Sequence, residues 1–319
     1  MTGATVLGCG MAVPSRRVPN CELEATLDTD DAWIRRRTGI QERRVAAPNE
    51  ATSTFAVAAA KEALDDAGVE AGEVDLVMVA TCTPDYPMPG SAPIVQHELG
   101  ATSAGAVDVN AGCTGFVSAL ALAAATVDSG QARTVVVCGA ETMSRVMDWS
   151  DRRTAVLFGD GAGAVVVGRG SGGIGPFVQG SDGAKADWLL IPAGGSRRPA
   201  DAESVEEHAH TVQMRGQDVY RHAIDRMAEA ATAVSDPRDV DLLVAHQANG
   251  RIIEALGERL GLEPEQVVCN IARYGNTSAA SIPIALAEAA RSGRLRRGMR
   301  VLLVAFGSGF LWSAGVVRW

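Results

Sequence analysis

The stretch DVNAGCTGF at residues 108–116 places one cysteine, Cys113, between small residues where a predicted strand meets a predicted helix. An apolar segment, 104–109, precedes it, and an Ala/Leu/Val-rich helical pattern follows over 116–127. We therefore predict Cys113 at a helix N-terminus, where unpaired N–H groups and the helix dipole favour a thiolate. Such a thiolate is a nucleophile near neutral pH. The alternative is an unreactive cysteine buried in the core.

The order of helices and strands before residue 170 repeats after it. Three pairs of matching positions lie at near-constant offsets of 166, 161 and 163 residues: Asp75 and Asp241, Gly100 and Gly261, and Gly130 and Gly293. Alternating helices and strands favour mostly parallel sheets covered by helices. We predict an α/β fold of two pseudo-symmetric halves, with the nucleophile in residues 1–170 and its partners in residues 171–319.

The offsets also relate three side chains. An offset of 163 pairs Cys113 with Asn276, which again lies at a predicted strand-to-helix junction, and an offset of 166 places His246 at a strand end. A pseudo-twofold axis between the halves would bring all three together. Taken alone, a histidine at a strand end such as His246 is more often structural than catalytic, and Asn276 could simply cap a helix.

Composition excludes several classes of protein. The 319 residues carry a net charge of −9, which argues against a nucleic-acid partner. The apolar runs are shorter than the roughly 20 residues that cross a bilayer, so we expect no membrane segment. Six cysteines without a C-x-x-C pair indicate neither a zinc site nor a disulfide framework, so we expect free thiols in a cytoplasmic protein.

Glycine-rich segments predict loops and turns. We expect a strand over 5–7 to end in a loop at 8–14, and strands 154–158 and 164–167 to form a hairpin across the glycines between them. Residues 170–210, rich in Gly, Pro and charge, predict a loop or cover. His208 and His210 in this segment have no third ligand nearby, so a solvated loop is favoured over a metal site.

Five motifs together carry a resemblance to a known family. In order they are NAGCTGF (110–116), FGDGAGA (158–164), HQAN (246–249), GNTSAAS (275–281) and AFGSGF (305–310). They resemble the signatures of β-ketoacyl-acyl carrier protein synthase III, a condensing-enzyme family of the thiolase superfamily. The similarity extends from WIRRRTGIQERR (33–44) to the C-terminal tryptophan. It implies a thiolase-like fold with layered α-β-α-β-α architecture.

The resemblance implies a division of labour among the site residues. Cys113 would take an acyl group from acyl-coenzyme A and deliver it to the carbanion formed by decarboxylation of malonyl-acyl carrier protein. His246 and Asn276 would donate hydrogen bonds to the malonyl thioester carbonyl. The backbone N–H groups of Cys113 and Ser308 would form the oxyanion hole; the family commonly has glycine where Ser308 stands.

The resemblance also implies the binding surfaces. Coenzyme A contacts would come from Trp33, Arg37, Arg152, Gly216, Gln217 and Asn249. Carrier-protein contacts would come from Gln247, Ala248, Asn249, Gly250 and Arg251. The acyl pocket would include Met88, Phe158 and Phe306. Met88 would reach from one subunit into the other's pocket, which implies a homodimer, and an adaptable methionine there favours a primer larger than acetyl.

The reaction leaves alternatives open. The condensation would initiate fatty-acid synthesis or load a polyketide starter unit, with the coenzyme A thioester as substrate and neither a permanently bound cofactor nor a metal. One alternative is an acyltransferase that passes its acyl group to a hydroxyl or an amine. Another is a catalytically silent partner or coenzyme-A-binding module, against which the retention of Cys113, His246 and Asn276 argues.

Overall fold

Strands and helices alternate through residues 3–319, the part of the chain that the computed structural model describes. The strands are β1 (Gly3–Ala12), β2 (Arg17–Pro19), β3 (Glu42–Arg44), β4 (Leu76–Ala80), β5 (Gly105–Val109), β6 (Thr134–Thr142), β7 (Asp160–Gly170), β8 (Ile174–Ser181), β9 (Leu189–Leu190), β10 (Gln213–Met214), β11 (Leu242–Ala245), β12 (Arg300–Gly307) and β13 (Leu311–Arg318). The α-helices are α1 (Asn20–Glu24), α2 (Asp31–Thr38), α3 (Thr52–Ala67), α4 (Ser91–Leu99), α5 (Gly115–Asp128), α6 (Arg152–Ala155), α7 (Ala202–Glu206), α8 (Gly216–Val234), α9 (Gly250–Arg259), α10 (Ile271–Tyr274) and α11 (Ser281–Arg291).

Two central sheets have matching strand orders. The first runs β1-β7-β6-β4-β5 and the second runs β8-β13-β12-β11. In the first sheet β4 pairs in parallel with both β5 and β6, whereas β6–β7 and β7–β1 are antiparallel. In the second sheet β11 pairs in parallel with β12, whereas β12–β13 and β13–β8 are antiparallel. The sheets are therefore mixed, and the expectation of mostly parallel sheets is wrong. The equivalent of β5 is reduced to a parallel bridge between Leu243 and Val267.

Helices cover both faces of both sheets. α5 and α11 pack between the two sheets, in a buried core shared by both halves of the chain. α3 and α4 cover the outer face of the first sheet, and α8 and α9 cover the outer face of the second. This arrangement confirms the predicted α-β-α-β-α layers. The division of the chain at residues 170 and 171 stays a prediction.

Two glycine-rich segments are strands, where we predicted turns. β1 continues to Ala12, because Gly8 and Gly10 allow α3 to lie directly on it: a Cβ on either would come within 2.4 Å of α3 backbone atoms. β7 begins at Asp160 and lies between β1 and β6, while 152–155 is helical, so the predicted hairpin is wrong. Gly163 admits α11 in the same way, since its Cβ would come within 2.5 Å of the Pro283–Ile284 backbone.

The segment 170–210 is only partly a cover. It contains β8, the outermost strand of the second sheet, so the loop prediction is wrong for residues 174–181. His208 Nδ1 lies 3.1 Å from a carboxylate oxygen of Asp148, and His210 Nε2 lies 2.9 Å from the Ser204 hydroxyl. Within residues 3–319, no three potential ligand side chains cluster as a metal site would require. No helix in that range is long and apolar enough to cross a membrane.

Candidate active site

Cys113 lies in a single 3-10 turn, Gly112–Thr114, between β5 and α5. The turn requires glycine at 112, where φ is +50° and a Cβ would stand 2.3 Å from the hydroxyl oxygen of Ser308. On its other side, a Cβ on Gly307 would lie 2.7 Å from the Cβ of Cys113. Two glycines thus bring the end of β12 against the nucleophile, as the predicted oxyanion hole of Cys113 and Ser308 requires.

The Cys113 thiol is protonated at neutral pH. Burial raises its pKa to about 11, although hydrogen bonds from the Ser278 hydroxyl and from the backbone N–H groups of Ser308 and Cys113 lower it. The expectation of a resting thiolate is therefore wrong, since desolvation of the charge outweighs these donors. The thiol has to lose its proton during the reaction.

His246 directly follows β11 and is buried. Its Nδ1 lies 2.7 Å from the hydroxyl oxygen of Ser281, which also accepts the N–H of Gln247 at 3.3 Å. Burial lowers the pKa of His246 to about 3, so the ring is neutral at neutral pH. A neutral imidazole in this network acts as a hydrogen-bond donor through Nε2 if Ser281 donates to Nδ1.

Asn276 lies in an irregular segment before α11. Its Oδ1 accepts the N–H of Ser278 at 2.9 Å, which leaves the amide N–H groups available to a substrate. Its backbone is fixed by Leu157 and Gly159, through bonds of 2.8 and 3.0 Å. Ser278 has a φ of +48°, so the backbone of this segment is strained where it meets the site.

Two cavities meet at Cys113. The first, of about 100 Å³, is lined by His246 and Asn276 as well as Cys113, so the three predicted side chains converge. The second, of about 320 Å³, lies on the other side and is lined mostly by apolar groups, with the polar groups Cys82, Asn110, Ser278 and Ser308. Both cavities are mostly apolar; the first also contains the side chains of His246 and Asn276, and the thiol lies between the two.

The predicted acyl-pocket residues divide among three places. Phe158 lines both cavities. Phe306 lines the cavity of His246 and Asn276 and packs on Phe310 at the end of β12, so its place in the acyl pocket stays a prediction. Met88 is 88% exposed and lines neither cavity in this chain.

The predicted coenzyme A residues form two groups. Around Trp33, the guanidinium carbon of Arg152 lies 5.3 Å and that of Arg37 5.9 Å from the indole centroid. Gly216 and Asn249 instead line the cavity of His246 and Asn276, and Gln217 is exposed beside it. Asn249 joins the two groups, because its side-chain amide donates to the Arg37 carbonyl at 3.1 Å.

Gln247 does not form part of an exposed carrier-protein surface. Its side chain is buried, donates to the carbonyls of Ala245 and Val268, and accepts the N–H of Asn270 at 2.9 Å. That prediction is wrong, because the motif HQAN turns inward at its second residue. Ala248, Asn249 and Gly250 are half-buried, and Arg251 is exposed with its guanidinium 5.4 Å from the Tyr220 ring.

Three polar residues of the site carry no role in the sequence interpretation. Ser278 and Ser281 lie inside the quoted motif GNTSAAS, so the motif located them without revealing their contacts. Glu141 is fully buried at the end of β6 and hydrogen-bonds to Ser278 at 2.9 Å. Its one sequence signal is a carboxylate that ends the otherwise apolar run VVVCGA.

The chain is similar to known proteins along its whole length. The family described as 3-oxoacyl-[acyl-carrier-protein (ACP)] synthase III matches residues 107–183, and its C-terminal region matches residues 230–319. A β-ketoacyl-[acyl-carrier-protein] synthase III of Caldanaerobacter subterraneus subsp. tengcongensis is 48% identical over 99% of this chain and 98% of that protein.

Solved structures agree with the sequence relatives. The 3-oxoacyl-[acyl-carrier-protein] synthase III of Aquifex aeolicus superposes with a TM-score of 0.92 at 41% identity, covering 99% of this chain and 100% of that one. The priming β-ketosynthase of the R1128 polyketide pathway does so at 0.92 and 39% identity, covering 99% and 96%. The chain belongs to the β-ketoacyl-[acyl-carrier-protein] synthase III family.

Proposed function

We propose that this chain condenses an acyl-coenzyme A primer with malonyl-acyl carrier protein through an acyl-Cys113 intermediate, initiating fatty-acid synthesis or loading a polyketide starter unit. The chain is accordingly a condensing acyltransferase and not a silent binding module. The observation that carries the proposal is the convergence of Cys113, His246 and Asn276 on one cavity.

Acylation begins when the sulfur of Cys113 attacks the thioester carbonyl of the primer. The negative charge of the tetrahedral intermediate develops on the carbonyl oxygen, where the backbone N–H groups of Cys113 and Ser308 would donate to it. Preorganised donors of this kind contribute roughly 3 kcal/mol each. Coenzyme A then leaves as the thiol, and the acyl group remains on Cys113.

Condensation follows in the cavity of His246 and Asn276. Both side chains would donate to the malonyl thioester carbonyl, Asn276 through its free amide N–H and His246 through Nε2. As carbon dioxide leaves, these donors stabilise the enolate, whose carbon attacks the acyl-Cys113 carbonyl. A neutral histidine suits this role, because it donates a hydrogen bond without giving its proton to the enolate.

The surface groups suit the large substrates. Trp33 and Arg152 present an indole face and a planar guanidinium for an adenine, and Arg37 lies beside them for a phosphate. Gly216, Gln217 and Asn249 lie toward the cavity, where the pantetheine arm would pass. Exposed Arg251 would contact acidic groups of the carrier protein.

The apolar cavity and the exposed Met88 support proposals for the primer and the oligomeric state. The cavity volume of about 320 Å³ favours an acyl group larger than acetyl. Met88, 88% exposed here, would complete the pocket of a second copy. Segment 86–91 adjoins β5, since the N–H of Ser91 donates to Asp108 at 2.7 Å, so we propose a homodimer formed along β5.

A mass measurement tests the reaction. The protein is incubated with acetyl-, isobutyryl- and hexanoyl-coenzyme A, and the intact chain is weighed before and after addition of malonyl-acyl carrier protein. Wild type and Cys21→Ala, which changes an exposed cysteine, should gain one acyl group and then form the condensed product with release of carbon dioxide, while Cys113→Ala should gain no acyl group and form no condensed product. Absence of a Cys113-dependent adduct would sink the proposal; an adduct transferred to an alcohol or amine without carbon dioxide release would point to the acyltransferase instead.

A further inference from the structure

Glu141 is a buried carboxylate near the active site that the proposed condensation does not use. It lies at the end of β6 and is fully buried. Its Oε2 atom accepts the Thr83 hydroxyl at 2.6 Å, the Thr81 hydroxyl at 3.1 Å, and the backbone N–H groups of Cys82 and Thr83 at 3.1 Å each. These residues directly follow β4, the parallel neighbour of β6, so the carboxylate is fixed to the end of the first sheet.

The other oxygen of Glu141 holds a strained turn in the second half of the chain. Oε1 accepts the Ser278 hydroxyl at 2.9 Å and the Ala279 N–H at 3.4 Å. Ser278 is buried and has a φ of +48°, a backbone conformation that costs free energy for a residue with a Cβ. Such a residue persists only where its surroundings hold it, and the bonds to Glu141 supply part of that restraint.

Ser278 in turn orients the side chain of Asn276. The N–H of Ser278 donates to Oδ1 of Asn276 at 2.9 Å. An amide turned by 180° exchanges its oxygen and nitrogen with little change in shape, so a donor on one side decides which group faces the other side. Asn276 lines the cavity that it shares with Cys113 and His246. The bond from Ser278 therefore leaves the NH₂ group of Asn276 free to donate into that cavity.

We propose that Glu141 is a positioning residue for condensation, acting through Ser278 on the amide of Asn276. The end of the first sheet thereby sets the direction of a donor that the second half of the chain supplies. Without the bonds to Glu141, residue 278 would relax toward a negative φ, and its N–H would move away from Oδ1 of Asn276. The amide would then be free to turn its oxygen toward the malonyl thioester carbonyl, where it repels the developing enolate instead of stabilising it.

A purely structural carboxylate would behave differently. Its loss would lower the stability of the fold and slow acylation and condensation together. A positioning residue instead affects the step in which Asn276 donates, and its effect disappears when the amide of Asn276 is absent. The inference rests on the proposed function, which assigns Asn276 to condensation.

The rate at which preformed acyl-Cys113 condenses tests the inference. Each protein is acylated with the primer that loads it best, freed of coenzyme A, and mixed with saturating malonyl-acyl carrier protein, and the condensed product is measured over time. Ser278→Ala and Ser278→Gly lose the same hydroxyl, but glycine adopts a φ of +48° without a steric cost. We expect Ser278→Ala to condense roughly tenfold more slowly than wild type, and Ser278→Gly to stay within about threefold of wild type. A glycine variant as slow as the alanine variant overturns the inference.

A double-mutant cycle separates positioning from an effect on the acyl cavity, which Ser278 also lines. In an Asn276→Ala background, Ser278→Ala should cause no further loss of condensation rate, because the amide that Ser278 orients is absent. A second loss of the same size would show that Ser278 acts on the acyl group or on the fold, and it would overturn the inference.

Glu141→Ala tests the carboxylate itself. It should slow condensation at least as much as Ser278→Ala does, and adding Ser278→Gly should recover several-fold, because glycine holds the turn unaided. A double variant no faster than Glu141→Ala overturns the inference. Asp160→Asn, which neutralises another buried carboxylate bonded to Ser144 and the Ala46 N–H, should condense like wild type.

Two further outcomes keep the inference apart from folding and from the proposed function. If Glu141→Ala does not fold, the two Ser278 variants and the cycle with Asn276→Ala decide. A wild type that forms no acyl-Cys113, or that forms it and does not condense, overturns the proposed function. Wild-type condensation with an equally fast Ser278→Ala overturns the positioning role alone.

Discussion

The Nδ1 atom of His246 lies 2.7 Å from the hydroxyl oxygen of Ser281, the first residue of α11. The same oxygen accepts the N–H of Gln247 and has one proton of its own, which it can donate to Nδ1. A ring that accepts at Nδ1 carries its proton at Nε2. In the proposed mechanism, Ser281 would therefore position His246 as a donor toward malonyl thioester, although it does not itself line either cavity.

Ser281→Ala should slow decarboxylation and leave acylation of Cys113 unchanged. Loss of a buried hydrogen bond costs about 1–3 kcal/mol, so we expect roughly a tenfold or greater fall in carbon dioxide release. Ser292→Ala, at the other end of α11, serves as the control, since its hydroxyl only bonds to the Ala289 carbonyl. Equal loss in both steps of Ser281→Ala would indicate a purely structural serine.

The buried neutral ring of His246 predicts an acid-sensitive stability. Its pKa is about 3 in the folded chain against an ordinary value of 6.5, so below pH 6.5 the unfolded chain takes up a proton that the folded chain does not. The free energy of unfolding therefore falls as the pH is lowered below 6.5, by up to about 1.4 kcal/mol per pH unit from this group. Urea unfolding from pH 7 to pH 4 should show a steeper loss for wild type than for His246→Gln. Parallel curves would contradict the prediction.

Gly307→Ala should slow acylation about 100-fold. A Cβ at this position would lie 2.8 Å from the backbone nitrogen of Cys113, so β12 or the nucleophile has to move. Misplacement by about 1 Å costs on the order of 100-fold in rate, which the adduct assay measures directly. Gly72→Ala is the control, because its Cβ would meet nothing within 4 Å. Normal acylation by Gly307→Ala would show that the close approach of β12 is dispensable.

The sequence predicted the site through its repeat. Cys113, His246 and Asn276 were located because each follows a strand or loop at matching positions of the two halves, and their convergence is a property of topology. The protonation state of Cys113 was not predictable, because a helix start is visible in sequence whereas burial is not. Glu141 lies in β6, and its contacts come from residues 81–83 after β4 and from the segment before α11, which no local pattern connects.

The turn predictions at three glycines were wrong for a related reason. Gly8, Gly10 and Gly163 have the local signature of turns, but each lies in a strand that a helix approaches closely. Such contacts join residues far apart in the chain, so a local pattern cannot distinguish them from turns. The prediction for Gln247 was wrong in the opposite sense. We assigned this polar residue to the surface, although the hydrogen bonds of its side-chain amide are satisfied in the interior.

Trp33→Ala should weaken binding of acyl-coenzyme A with little change in kcat. Stacking of a base on an aromatic ring contributes about 1–3 kcal/mol, so KM should rise roughly 10- to 100-fold. The matched substrate is an acyl-pantetheine thioester, which lacks the adenine and should react equally with both proteins. A loss of similar size with that substrate would mean that Trp33 supports the fold around α2 rather than the adenine.

Val107→Lys should convert the proposed homodimer to a monomer. Val107 is 43% exposed on β5, which in residues 3–319 pairs with β4 alone, and a lysine there opposes its own copy across an interface formed by two such strands. The monomer should also acylate more slowly, because Met88 of a second copy would no longer close the apolar cavity. Sedimentation equilibrium measures the first effect and the adduct assay the second. Val205→Lys, at an exposed valine of α7, should remain dimeric; a Val107→Lys protein that also stays dimeric would exclude β5 as the interface.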